Sequence, residues 1–258
     1  SPGGLRSQAA VFRRNLDIRQ AFTSLRYPNY RLWFWSNMFS LFGSWMQTTA
    51  LGFLAFDLTR SSAFLGVVGF ASGLPVWFFT LYAGVIADRL PRRNIIVATQ
   101  VSMSILAAAI SALAFLGLVR PWHLAVMALL MGTANAFEAP SRQAFVLEMV
   151  APQDLTNAIA LNGAMFNTAT AVGPAVGGIA YALFGPAWCF AMNAVSFIPV
   201  IISLIMMKLP PNVPRVNGGS PLKELRAGLA YTRRDPTIRT VIALVGIVTM
   251  FGMSFMTL

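Results

Sequence analysis

Charge is scarce in this chain. Of its 258 residues only 10% are charged, against about 25% in a soluble domain. So few charges cannot cover a globule with polar surface, and a polytopic membrane protein is the expected class. Cysteine and histidine are nearly missing, with Cys189 and His123 the sole examples. That excludes an intramolecular disulfide framework and leaves metal clusters and histidine-based triads without members, so no cofactor, metal site or catalytic set is expected. Acids are few as well, 8 against 19 Lys and Arg, for a net charge of +11. A basic excess of that size suits either nucleic acid or anionic lipid, and the placement of the charges decides between them. The first thirty residues hold no short apolar core followed by a small-residue cleavage site, so no signal peptide is expected.

What the chain does have is apolar length. Hydrophobic residues make up 57% and the mean hydropathy is +0.66. Apolar segments cover 32–56, 63–87, 95–118, 122–144, 157–184 and 187–207, and a seventh begins near 240 and is still running at Leu258. Each of the first six reaches the ~20 mainly apolar residues that a spanning helix needs. Gly73, Pro75, Gly173, Pro174 and Pro199 lie inside them, which membrane helices tolerate because neighbours re-satisfy the backbone. The expected domains are a cytoplasmic tail (1–30), a six-helix bundle (31–208), a cytoplasmic linker (209–238) and the start of a seventh helix (239–258).

Orientation follows from the basic residues. With the N-terminus inside, that side receives six up to Arg31, then Arg89, Arg92 and Arg93, then Arg142, and seven from Lys208 to Arg239. Only Arg60 and Arg120 remain outside. The positive-inside rule therefore places the N-terminus in the cytoplasm and the basic charge against lipid, not nucleic acid. In the linker, Pro210, Pro211 and Pro214 lead to Asn217-Gly218-Gly219, and Ser220-Pro221 opens a short amphipathic helix with Leu222, Leu225 and Leu229 at helical spacing. A link this long after short ones marks a boundary between two halves. Asp17 to Leu25 reads either as a surface amphipathic helix or as part of a disordered tail.

Three groups of residues carry possible function. Gly84, Asp88, Arg89, Arg92 and Arg93 lie in the tight link between the second and third spans. Asp88 is either a helix-terminal ion pair that orients helices or part of a gate. Gly69 and Gly73 on the second span, and Gly173 and Gly177 on the fifth, have the small-xxx-small spacing that lets backbones approach closely. On the first span Asn37, Ser40, Ser44 and Thr48 form one stripe, with Gln47 beside it; the fourth adds Asn135, Glu138 and Arg142, and the fifth Asn162 and Asn167. In lipid these side chains must face protein or water, as interhelical hydrogen bonds or as the lining of a substrate cavity. Glu138 and Arg142, four apart, can pair on one helical face. Trp77, beside Pro75, is a possible pocket wall, and most other aromatic residues read as interface anchors and packing.

Gly84-x-x-x-Asp88-Arg89-x-x-Arg92-Arg93 resembles the signature loop of the major facilitator superfamily. Gly173-Pro174-Ala175-Val176-Gly177-Gly178 resembles the Gly-Pro motif of its antiporters. Phe56-Asp57-Leu58-Thr59-Arg60-Ser61 and the run from Asn135 to Phe145 are similar to the bacterial branch holding the enterobactin exporter and macrolide efflux pumps. The resemblance covers about residues 25 to 258. It implies the N-terminal six-helix half of a twelve-helix all-α membrane fold in the bacterial plasma membrane. It also implies a secondary transporter that exports a drug or siderophore by alternating access, with the missing C-terminal half as partner and the signature loop as latch. The second and fifth helices would face that opposite half. One departure stands out. Superfamily antiporters often carry an arginine four residues before a glycine in the fourth helix, and here Gly132 is preceded at that offset by Ala128. Proton coupling is therefore not evident from that position. A non-transporting scaffold or receptor and an intramembrane enzyme are the other classes, the latter starved of catalytic residues.

Overall fold

The computed structural model describes residues 22–207 together with 240, 241 and 244. The expected tail and linker lie largely outside the described residues; of the expected seventh helix, Thr240, Val241 and Leu244 are described, and all three are helical. Those three belong to a separate unit that starts at Arg215, and residues 22–207 lie in the first unit.

Helix α1 covers Pro28–Thr59, α2 Ser62–Arg89, α3 Arg92–Phe115 and α4 Pro121–Phe145. The helical stretch Leu155–Met206 is broken at Gly185, whose φ of 77° and ψ of 174° no helix accommodates. It therefore makes two helices, α5 (155–184) and α6 (186–206). Only glycine adopts that backbone geometry without strain. Proline opens α1 and α4 at their first positions, where its missing N–H is not needed. The start of α4 is capped by its own third residue: His123 Nδ1 accepts the Arg120 backbone N–H at 2.9 Å. Short 3-10 turns at Thr23–Arg26, Val146–Glu148 and Pro152–Asp154 complete the unit. Where a surface amphipathic helix is one reading of Asp17 to Leu25, its described end is part of that first turn. The turn is pinned to the start of α5 by Arg26 and the Tyr27 hydroxyl, both on Asp154 Oδ2, at 2.5 and 2.7 Å.

Three stretches are long and apolar enough to cross a membrane by length and composition: Ser62–Thr80, Arg92–Phe115 and Pro152–Met206, which holds both α5 and α6. Helices α1 and α4 fall short of that measure, although the apolar segments of the sequence predict a span for each. Both are long enough, at 32 and 25 residues. Their interiors hold the polar residues Asn37, Ser40 and Gln47 on one and Glu138 and Arg142 on the other.

The packing explains how those residues are tolerated. Helix α1 packs along α5 and α6, α2 along α4, and α3 against α4 and the Leu155–Met206 stretch, while α1 and α4 approach each other little. Two apolar clusters fill the interior. One holds Met46, Met103, Ile110, Leu124, Met131 and Phe197; the other holds Trp33, Phe34, Ile96, Phe145, Val200 and Leu204. Between them in chain register lie Asn37 and Ser40 on α1, Thr99 and Gln100 on α3, and Glu138 on α4, all buried. A polar seam thus separates two dry layers.

Candidate functional site

The centre of that seam is Glu138. Its side chain is only 2% exposed, and a carboxylate so deep requires several donors. Thr99 Oγ1 donates to Oε2 at 3.1 Å and Gln100 Nε2 to Oε1 at 2.8 Å. Arg142 Nη2, one helical turn on, also donates to Oε1 and forms the ion pair. Arg142 in turn donates from Nη1 to Asn37 Oδ1 at 2.5 Å and stacks over the Trp33 ring at 5.6 Å. Helices α1, α3 and α4 are therefore tied through one ion pair, and Arg142, at 28% exposed, is its accessible end. Trp33 further meets Phe145 edge-on. Since α1 and α4 otherwise approach little, Arg142 bridges a gap between them.

A second polar contact lies further along α1. Gln47 Oε1 accepts from Asn193 Nδ2 of α6 at 2.7 Å, and Asn193 Oδ1 accepts from Ser196 Oγ at 3.0 Å. Ser36 and Ser203 share a hydrogen bond of 3.0 Å. The rest of the expected stripe behaves differently. Ser44 and Thr48 donate back to carbonyls of their own helix, those of Ser40 and Ser44, and Thr48 is exposed. Asn135 and Asn167 are exposed, and Asn162 accepts a long 3.4 Å bond from the Tyr30 hydroxyl. Trp77 is exposed on α2, in line with Phe70 and Phe78 on a helix that buries little of itself.

The link between α2 and α3 is built differently from its appearance in sequence. Asp88 is 77% exposed and only 3.9 Å from Arg92. Arg92 is held instead by Glu148, at 3.1 Å, and by the Ala144 carbonyl, at 3.2 Å. Arg93 donates to the Ile205 carbonyl at 2.8 Å, near the end of α6, and Arg89 is exposed. The link is thereby pinned to the ends of α4 and α6. Burial pushes the Glu148 carboxyl above its ordinary range, and Arg92 pulls it partly back.

The glycines divide. A Cβ on Gly173 would meet Trp45 Cβ at 2.5 Å, and one on Gly177 would meet Thr49 Cβ at 2.9 Å. These two glycines let α5 close onto α1 within this half, so the close approach they permit is used here. Gly178 has open space around a Cβ, as do Gly84, Gly69 and Gly73. The expected close approach at Gly69 and Gly73 is therefore absent among the described residues. The contact between α2 and α4 is made by Gly132, where a Cβ would strike the Ser72 carbonyl. Pro174 is exposed and the helix continues through it.

Sequence reasoning missed Thr99, Gln100, Asn193, Trp33 and Glu148 as parts of these networks. The available signal was weak: single polar residues in apolar spans (Thr99, Gln100, Asn193) and an acid just beyond α4.

A family profile described as transmembrane secretion effector, within the major facilitator superfamily, matches residues 19–258. Among curated proteins the chain is similar to the staphyloferrin A transporter of Staphylococcus aureus, at 26% identity over 71% of this chain and 48% of that protein. It is also similar to macrolide efflux protein A of Streptococcus pyogenes, at 22% over 88% of this chain and 57% of the relative. With the enterobactin exporter EntS of Shigella boydii it shares 25% identity over 87% of this chain and 54% of the relative. The chain spans about half the length of these curated relatives.

Proposed function

We infer the function from the family: the chain belongs to the transmembrane secretion effector family of the major facilitator superfamily, and is a multi-pass membrane protein of transporter type, not an enzyme. We read it as the N-terminal half of a secondary transporter in the bacterial plasma membrane, with its N-terminus in the cytoplasm. The transported compound is an amphipathic small molecule of the drug or siderophore kind, moved outward by alternating access between this half and a second one. The names of the relatives, a siderophore transporter, a macrolide pump and a siderophore exporter, support that class of cargo.

The observation that carries this reading is the polar seam across α1, α3 and α4. A buried ion pair in a membrane helix bundle is costly, and function is the usual reason for keeping one. Its accessible end, Arg142, lies in the gap between α1 and α4, where a polar lining suits a site shared between two halves. The exposed Asp88 and the open glycine positions of α2 are then the surfaces left for the opposing half. In this reading Asp88 latches that half when the site faces outward and releases it when the site faces inward. Coupling to a proton gradient completes the proposal.

The test is accumulation of a macrolide and of a ferric-siderophore precursor in cells with and without the complete protein, with and without a proton uncoupler. Lower accumulation that the uncoupler abolishes is the expected result. Equal accumulation under all conditions would remove the export reading.

A further inference from the structure

The two oxygens of Glu138 are not equally served. Oε1 accepts from Gln100 and from Arg142. Oε2 has only the Thr99 hydroxyl, at 3.1 Å, and that same hydroxyl also reaches the Ile96 carbonyl at 2.9 Å. A threonine hydroxyl carries one hydrogen. With Glu138 ionised, that hydrogen is claimed by two acceptors, and one of the two contacts lacks a full bond. A proton on Oε2 completes both: the carboxyl O–H donates to Thr99 Oγ1, and Thr99 donates to the Ile96 carbonyl. No side chain has to move.

A second observation points to the same place. Among the described residues, two buried side-chain polar atoms have no hydrogen-bond partner, Trp33 Nε1 and Gln100 Oε1. Trp33 lies under Arg142 and Gln100 donates to Glu138. Native interiors leave few such atoms. Two in one network mark an arrangement that is incomplete in this state, because a buried polar network is sensitive to each missing partner.

We propose that Glu138 is a protonation site, taking a proton on Oε2 with Thr99 as the acceptor, and that its neutralisation releases Arg142 from the ion pair. The proton comes from solvent at the accessible Arg142 end and returns to solvent when the pair re-forms, so the step needs no other reactant. Arg142 is the ion-pair partner of Glu138. Around the pair, α1 presents Asn37 and Trp33, and α3 presents Thr99 and Gln100. The charges at the same end of the packed helices are Arg31 on α1, Asp88 and Arg89 on α2, Arg92 and Arg93 on α3, and Glu148 after α4. Of these, Arg92 is held by Glu148 and Arg93 by the Ile205 carbonyl. Once released, Arg142 keeps its bond to Asn37 and carries an uncompensated charge into the gap between α1 and α4. The use of that charge in moving cargo rests on the transport reading above; the protonation itself does not.

Infrared difference spectroscopy of the purified protein in lipid, titrated with acid, tests this. A protonated-carboxyl band is expected to emerge on acidification and to be lost in Glu138→Gln. Thr99→Ser, which keeps the hydroxyl, is expected to retain the band at the same pH, whereas Thr99→Val moves it to more acidic pH. A spectrum without any Glu138-dependent band, over the range where the protein stays folded, overturns the proposal. An unshifted titration in a folded Thr99→Val overturns the role of Thr99. Absence of cargo transport with the band intact would instead remove the export reading and leave the protonation site standing.

Discussion

Two acid–arginine pairs of the chain are each four residues apart, and the structure treats them in opposite ways. Asp88 and Arg92 flank the α2–α3 link, 3.9 Å apart, with the acid 77% exposed. Glu138 and Arg142 lie on one face of α4, with the acid 2% exposed and three other side chains engaged. The spacing is the same and the physics is not. An exposed pair contributes roughly 0–1 kcal/mol because water screens it. A buried pair costs desolvation of both partners, so removal of one member leaves a charge stranded. The difference teaches that the motif most visible in the sequence is a surface feature of this half, whereas the costly electrostatics lie in an inconspicuous turn of α4.

That contrast can be broken most forcefully at Glu138. Glu138→Ala strands Arg142 and frees two donors on α3, and a loss of about 3 kcal/mol is expected in thermal or denaturant unfolding of the purified protein. Stability like that of the wild type would show that the buried pair is worth no more than the exposed one. Next in size is the helix contact at Gly177. Gly177→Leu drives a side chain into Thr49 and Met46 and is expected to cost about 1–3 kcal/mol. Gly178→Leu, with open space around its Cβ, should leave folding unchanged. Asp88→Asn belongs at the small end. Its expected effect on unfolding is within about 0.5 kcal/mol, while transport by the complete protein falls; normal transport would remove the latch.

The smallest effect concerns Glu148. Because burial raises its carboxyl above the usual range in the folded protein, the folded form holds the proton more tightly than the unfolded one. The resulting stabilisation is fully present below the ordinary carboxylate value and is lost as pH rises through the raised one. Glu148→Gln should flatten the pH dependence of the melting temperature in the mildly acidic range, with Arg92 still pinned to the Ala144 carbonyl. A dependence unchanged by the substitution would contradict it.

Much of the helical plan was legible in the sequence, since helix existence depends on apolar length. The interval between 184 and 187 falls at Gly185, where the backbone breaks, and the short links between the other spans are where the chain turns. The partners of each polar residue were not legible. Periodicity says that Asn37 and Ser40 share a face of α1 and cannot say that Arg142 covers one of them. Glycine spacing behaves likewise: Gly69-x-x-x-Gly73 and Gly173-x-x-x-Gly177 look alike, yet only the second faces a neighbour here, because the rotation of each helix is set by packing. For the same reason nearness in sequence pairs Arg92 with Asp88, when Glu148 lies closer in space.

The central claim is that the buried pair on α4, not the exposed pair at the link, carries the strong electrostatic coupling of this half. Double-mutant cycles on both pairs, read by unfolding of the protein in the same lipid, test it directly. The expected coupling is more than about 1 kcal/mol between Glu138 and Arg142, and less than about 0.5 kcal/mol between Asp88 and Arg92. Equal couplings, or a larger one at Asp88, would contradict it.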